Sequence, residues 1–342
     1  MNVSLNTLYV TTDGAYVHKD HDTVVVSVQQ EKRLQVPMLH LSAIVCLGRV
    51  SVSPELMAAL AQASIHVAFF SPHGQFLARV EGLPGGNVLL RRAQFRIADD
   101  TAKSLEIARA IVAGKIENAR QHLLHAKRDA DEARAEAFES AAKRLKLRLQ
   151  GLAGAATIDE VRGAEGLAAR EYFEVFSLFV KRSEGDFQFQ GRSRRPPRDR
   201  INSLLSFLYV LLLNDCAAAA AGVGLDPAVG YLHEERPGRL SLALDLMEEL
   251  RAPVADRLAL SLINRAQLQP ADFKEEPGGA WRLTDAGRKT VLVAYQEAKQ
   301  VEITHPFLGQ TVPWGRVPHL QALLLARLLR GDLDAYPPFL VR

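Results

Sequence analysis

Apolar and polar positions alternate in short runs over the first 85 residues, and from about residue 88 the apolar positions recur every three or four residues. Alternation sends side chains to opposite faces of a strand, whereas the longer spacing gathers them on one face of a helix. The first region predicts strands over 8–12 and 15–17 on either side of Asp13-Gly14, then over 23–28, 32–37, 44–47, 66–70 and 75–80. Asp-Gly between two β-prone runs predicts a hairpin there. One helix interrupts the strands. Ser53 suits its N-cap, Pro54 its first turn and Glu55 its positive end, and Leu56, Ala59, Leu60 and Ala63 supply the apolar stripe.

The run Pro84-Gly85-Gly86-Asn87 marks a boundary. Beyond it Ala, Leu, Glu, Lys and Arg dominate residues 89–150, and further helices are predicted over 158–178, 200–221, 241–250, 254–265, 284–302 and 319–330. Residues 183–199 hold Gly185, Gly191, Pro196 and Pro197 and read as a loop. The expected architecture is a small N-terminal β-rich domain over 1–85 followed by a larger all-α-helical domain over 88–342.

A length of 342 residues suits two domains. Hydrophobic residues at 48% and charged residues at 24% exclude a collagen-like or wholly disordered chain. A net charge of +3 neither demands nor excludes nucleic acid, so the placement of the basic residues must decide. Cys46 and Cys216 lie far apart in apolar surroundings, which argues against a disulfide framework or a cysteine zinc site and fits a reducing cytoplasm. The N-terminus lacks the basic-then-apolar arrangement of an export signal. The most apolar stretch, 204–213, ends at Asn214-Asp215, short of the roughly 20 residues a membrane span needs, so a buried core helix and no membrane partner are expected.

Two acidic stretches could carry chemistry. Glu165 stands seven residues before Tyr172 on one face of a predicted helix, where it could serve a site or merely complement the helix dipole. His233 precedes Pro237-Gly238, and a helix follows with Asp245 and Glu248 on one face. An acid flanked by Leu244 and Leu246 needs a compensating metal, Arg or hydrogen-bond donor, and Arg251 or Arg257 could fill that need structurally. A His with two or three carboxylates suits Mg²⁺ or Mn²⁺ holding positions open for phosphate oxygens, hence phosphodiester chemistry. Between the two stretches lies a basic run containing Arg182, Arg192, Arg194, Arg195 and Arg198, which could track phosphates or simply be a solvated loop. No Walker loop or dinucleotide fingerprint is present. His18 and His21 read as a polar turn, His122 and His125 as solvated helix residues, and His305 and His319 as loop or helix-start residues.

Three separated motifs carry a resemblance: Glu165-Gly-x-Ala-Ala-x-x-Tyr-Phe; Arg194-Arg-Pro-Pro-x-Asp199-x-x-Asn202-x-Leu-Leu-Ser206-x-x-Tyr209; and Gly230-x-Leu-His233-x-x-x-Pro-Gly-x-x-Ser-Leu-x-x-Asp245-Leu-x-Glu248. In that order they resemble CRISPR-associated endonuclease one, the integrase of spacer acquisition, with the type I-C branch the most similar. The resemblance implies a metal site of Glu165, His233 and Glu248 with Asp245 as a further acidic catalytic group. Glu248 stands where many relatives have Asp, and Glu249 is the alternative one residue away. Asn202 and Tyr209 match positions facing the family's pocket, and burial as hydrogen-bonded core residues is the other reading of them.

The implied reaction is metal-dependent attack by the 3′ hydroxyl of a captured DNA fragment on a phosphodiester at the edge of a CRISPR repeat. Implied partners are double-stranded DNA, a second copy of the chain in a homodimer, and the small companion called CRISPR-associated protein two. Residues 1–85 would serve dimerisation and partner binding. The rival reading is a nuclease of DNA repair or recombination that uses only water at the same site.

Overall fold

The computed structural model describes residues 6–63, 65–72, 76–80, 82, 88–182, 186–194 and 196–341. The boundary run at 84–87, Arg195 and part of the 183–199 loop lie outside the described residues. The chain forms two compact units: Met1–Gly86 with Tyr295–Val301 and Pro313–Arg316, and Asn87–Ala294 with Glu302–Val312 and Val317–Arg342.

The first unit contains β1 (Asn6–Val10), β2 (Tyr16–Asp20), β3 (Thr23–Val28), β4 (Glu31–Pro37), β5 (Leu41–Leu47), β6 (Ser51–Val52), α1 (Pro54–Gln62), β7 (His66–Phe70) and β8 (Phe76–Val80). They make two four-stranded sheets, ordered β1-β5-β7-β8 and β4-β3-β2-β6. In the first sheet β5 pairs parallel with β1 and β7, Ile44 lying opposite Leu8 and Val67. Val10, Ile44, Cys46 and Val67 from that sheet, Val17, Val24 and Val26 from the other, and Leu56 and Leu60 of α1 form one core. Ser53 caps α1 by accepting from Leu56 N at 3.2 Å.

The expected Asp13-Gly14 hairpin does not form, because β1 and β2 belong to different sheets. The turn is drawn instead to the segment after β5. Asp13 Oδ1 accepts from Arg49 N at 3.1 Å, its Oδ2 pairs with the Arg49 guanidinium at 3.0 Å, and Gly14 N donates to Arg49 O at 2.8 Å. The hairpin between β3 and β4 turns at Gln29-Gln30, both at positive φ, where the composition carries no Gly or Asn signal.

The remaining helices are α2 (Val88–Asp99), α3 (Thr101–Lys127), α4 (Glu132–Leu152), α5 (Ile158–Glu174), α6 (Arg200–Gly222), α7 (Ser241–Glu248), α8 (Arg257–Asn264), α9 (Asp285–Gln300) and α10 (Val317–Arg330). Asp100, Asp131, Thr157 and Asp199 cap α3, α4, α5 and α6 with their side chains. Helix α6 is long and apolar enough to cross a membrane, but Leu204, Leu205, Leu208, Leu212 and Cys216 are buried in the second unit, and it is that unit's core helix. It packs against α7 and α10.

The region beyond residue 88 is helical but not all-helical. A ladder of β9 (Phe273–Glu276) and β10 (Ala280–Leu283) turns through Gly278 and Gly279, both at positive φ, and β11 (Glu302–Thr304) pairs with β12 (Thr311–Pro313). Strands of three or four residues with charges on both faces leave no readable alternation. Between α7 and α8 the segment Arg251–Asp256 is a single π-helical stretch. Pro253 has no N–H to give to the regular ladder, and the chain widens there instead of breaking.

Candidate active site

Helices α3, α5 and α7 bring the acidic residues together. Glu165 lies in the middle of α5, whose first turn carries Asp159 and Glu160, so the helix-dipole reading of Glu165 does not apply. Lys115 of α3 forms an ion pair with Glu165 Oε1, and its Nζ is 2.6 Å from Glu248 Oε2 on α7. Arg251 Nη2 is 2.8 Å from Glu248 Oε1, and His233 Nε2 is 3.8 Å from the same oxygen. Glu248 is 3% exposed, so burial alone would raise its carboxyl, but Arg251, Lys115 and His233 outweigh that and hold it well below the usual carboxylate range. Glu165 and Glu248, remote in the chain, thus meet around one ammonium, and His233 stands beside the far oxygen of Glu248.

Asp245 has a different place from the one expected. It is fully buried and faces away from Lys115, toward the turn before α7. Its Oδ2 accepts from Tyr231 N at 2.6 Å and Leu232 N at 3.0 Å, while Oδ1 accepts from His233 N at 3.0 Å and lies 2.7 Å from His233 Nδ1. An ionised carboxylate only accepts, so Nδ1 carries a proton, and when the ring is neutral the lone pair is on Nε2. Asp245 is therefore placed to position His233. The turn needs Gly230: a Cβ there would lie 2.8 Å from the Ser241 carbonyl carbon and 2.9 Å from Asp245 Oδ2.

Glu249 turns the opposite way. It accepts from Tyr336 Oη at 2.5 Å, Phe339 N at 2.6 Å and Gln321 Nε2 at 3.0 Å, and burial pushes its carboxyl up to about 7 against those hydrogen bonds. Asn118 Nδ2 donates to the backbone oxygens of Glu249 and Phe339, each at 2.7 Å, and Asn118 Oδ1 accepts from Val341 N at 2.8 Å. Gly114 makes room for this segment, since a Cβ there would meet Pro338 at 2.8 Å. His305, expected in a loop, is fully buried with Nε2 at 3.0 Å from Gln321 Oε1.

A cleft beside the acidic group is lined by Lys115, Ala168, Tyr172, Arg194, Arg251 and Asp256 and continues past Phe173 to Arg170, Phe189 and Gln190. Asp256, in the π-helical stretch, accepts from Tyr209 Oη at 2.7 Å and Tyr172 Oη at 3.2 Å, and burial pushes its carboxyl up to about 6. His122, expected to be solvated, has Nδ1 at 2.8 Å from Tyr172 Oη and stacks on Phe179 at 4.6 Å. Burial pushes that imidazole down to about 3, with Arg257 and His125 adding to the effect.

The basic run divides in two. Arg194 and Arg198 are exposed; Arg194 lines the cleft, and Arg198 gives Nη1 to Gly278 O at 2.8 Å. Arg192 gives Nη1 to Ser193 O and Asn202 Oδ1, each at 2.6 Å, and lies 5.3 Å over the Tyr209 ring, while Arg182 holds Leu268 O and Gln269 Oε1, each at 3.1 Å. Both arginines are held by contacts within the chain. Asn202 is 0% exposed, accepts from Arg192 and Ser193 N and donates to Gly191 O and Asp199 Oδ2. Tyr209 is 9% exposed and gives its hydroxyl to Asp256, so both positions are hydrogen-bonded within the core.

Lys115 is the site residue that carries the structural argument beyond the expected set, while Arg251 fills the structural pairing expected for it, with Glu248. Lys115 interrupts the apolar run Ile111-Val112-Ala113-Gly114-Lys115-Ile116, and a lone charge on a buried face was its available signal.

A family profile described as CRISPR associated protein Cas1 matches residues 8–297. CRISPR-associated endonuclease Cas1 1 of Moorella thermoacetica is 49% identical over 343 residues, covering 100% of each chain. The chain belongs to the Cas1 family. A solved Cas1 protein from Thermotoga maritima shares its fold with a TM-score of 0.83 at 25% identity, covering 97% of this chain and 99% of that one. A chain of a Cas6-RT-Cas1–Cas2 complex has the same fold, with a TM-score of 0.83 at 23% identity over 99% of this chain and 36% of that one.

Endonucleases of the Cas1 family depend on a metal. Among the described residues no three His, Cys, Asp or Glu side chains are already drawn in around one point. The donor set nonetheless fits a divalent cation. Glu165 Oε1 and Glu248 Oε2 converge on one cationic centre, and Glu248 Oε2 is buried without a well-formed hydrogen bond, the ammonium being an off-angle neighbour. His233 Nε2 lies 3.8 Å from Oε1 of the same carboxylate. Hard carboxylate oxygens with one imidazole suit Mg²⁺ or Mn²⁺.

Proposed function

We propose that this Cas1-family chain is the DNA endonuclease and integrase of CRISPR adaptation, joining 3′ hydroxyl ends of captured DNA to the CRISPR repeat by transesterification. The observation that carries the reading is the convergence of Glu165 and Glu248 on Lys115, with His233 3.8 Å from Glu248, beside a cleft lined by Lys115, Arg194 and Arg251. In this reading Glu165, Glu248 and His233 Nε2 hold Mg²⁺ or Mn²⁺. When bound, the cation polarises the phosphodiester and stabilises the departing oxygen. Asp245 keeps the proton on His233 Nδ1, and Arg251 keeps Glu248 ionised and aimed. Exposed Arg194, with Arg198 further along the loop, steadies the phosphate backbone. No side chain has to become covalently attached to DNA, since the attacking hydroxyl belongs to the nucleic acid.

The same proposal extends to surroundings. The chain acts as a homodimer with CRISPR-associated protein two on double-stranded DNA in the cytoplasm, residues 1–85 serve dimerisation and partner binding, residues 88–342 carry catalysis, and the type I-C branch is its subtype. Support for the companion protein comes from the shared fold of the chain in the Cas6-RT-Cas1–Cas2 complex. The test is strand joining on a half-site or branched DNA with Mn²⁺ and the purified companion. Joined strands that vanish with Glu165→Gln or His233→Ala support the integrase, whereas fragments alone favour a hydrolytic nuclease of repair or recombination. Products unchanged by either substitution would refute the site.

A further inference from the structure

We propose that Lys115 is the resident counterion of the acidic centre: its ammonium occupies the place between Glu165 and Glu248 and leaves when a divalent cation takes those oxygens. The inference rests on the reading of Glu165, His233 and Glu248 as a metal site. Two ionised carboxylates facing each other at low exposure repel unless a positive charge stands between them, and Lys115 supplies it. Lys115 is itself only 14% exposed and comes from α3, a helix that carries none of the three proposed ligands.

The details favour exchange over a permanent bridge. A cation bound to Glu165 and Glu248 needs the oxygens that Lys115 holds, and an ammonium and a divalent ion cannot both occupy that gap. The hold on Glu248 Oε2 is a contact of charges at 2.6 Å without hydrogen-bond angles, so it is the weaker half of the grip. Arg251 stays with the other oxygen, Glu248 Oε1, and keeps the carboxylate in place during the exchange. Lys115 also lines the cleft that holds Arg194 and Arg251, so the released ammonium has a path into it. There it meets two other cations, and the anion that suits all three is a phosphate of the substrate. Loading of the centre thereby prepares the cleft for DNA.

Two measurements on the full chain test this. Free Mn²⁺ is followed by electron paramagnetic resonance while wild type, Lys115→Met and Lys115→Gln are titrated, with circular dichroism to establish folding. Removing the competitor should lower the Mn²⁺ Kd at least tenfold. An equal or weaker affinity in a folded variant overturns the proposal while leaving the metal site standing, and wild type that binds no Mn²⁺ overturns both. If neither variant folds, acetylation of lysines in wild type, read by mass spectrometry with and without Mg²⁺, decides. Labelling of Lys115 should rise several-fold with Mg²⁺, and an unchanged rate overturns the exchange.

Discussion

Asp245→Asn changes one buried atom and should silence the imidazole twelve residues upstream. The wild-type carboxylate accepts from three backbone N–H groups and from His233 Nδ1. Asn can accept with one oxygen only. If Oδ1 of Asn serves Tyr231 and Leu232, its amide group faces His233 N and Nδ1, so one backbone N–H loses its acceptor and Nδ1 must become the acceptor. The ring proton then moves to Nε2, the nitrogen aimed at Glu248, and the lone pair needed for a metal is gone. An unsatisfied buried N–H costs about 1–3 kcal/mol, well within what a folded domain tolerates. Loss of the orienting carboxylate costs on the order of 10–100-fold in metal affinity. Mn²⁺ titration should therefore place Asp245→Asn close to His233→Ala, and the double variant should be no weaker than the worse single one. A folded Asp245→Asn that binds Mn²⁺ as wild type does would refute the tautomer argument.

Other consequences follow from the same contacts. Gly230→Ala drives a methyl into Ser241 and Asp245 and should cost roughly 2 kcal/mol or more, read as a lowered urea midpoint together with lost strand joining. In the folded chain burial pushes the Glu249 carboxyl up to about 7 from the ordinary 4.5. The folded state thus binds its proton more tightly, and this contribution is full below pH 4.5 and lost as pH rises to about 7, a change of about 3 kcal/mol. Glu249→Gln should flatten that part of the stability profile in urea unfolding between pH 5 and 8, and an unchanged profile would refute the burial argument. Arg194→Ala should weaken DNA binding by a similar factor on any sequence and lower the salt slope by about one, whereas Asn202→Ala should loosen the 186–202 loop, detected as faster amide exchange.

Much of this was readable in advance where local pattern and tertiary packing agree. Ser53-Pro54 starts a helix, β3 and β7 have the ranges their β-branched and aromatic runs predict, and α6 is as buried as its leucines suggest. Asp13-Gly14 misled because a turn signal describes a bend in the chain and does not say which strand receives it; the Arg49 segment decided that. The short ladder of β9 and β10 was invisible since Lys274, Glu275 and Arg282 obscure any two-residue period. At the site, the spacing of His233, Asp245 and Glu248 was legible but their division of labour was not. Asp245 faces the turn, Glu248 faces Lys115 and Glu249 faces Tyr336, three directions from one short helix end that only packing assigns. Asn202 and Tyr209 share a helix face as their spacing implied, yet buried partners absorb both.

The stitching of residues 336–341 to Glu249 and Asn118 also sets a time for the chemistry. On the ribosome Glu248 is made about ninety codons before the segment that secures its neighbour. A nascent chain therefore carries its acidic cluster in an unfinished state throughout that interval. A chain cut just before residue 336 would still encode every helix through α10 but would leave Glu249 without Tyr336 and Phe339.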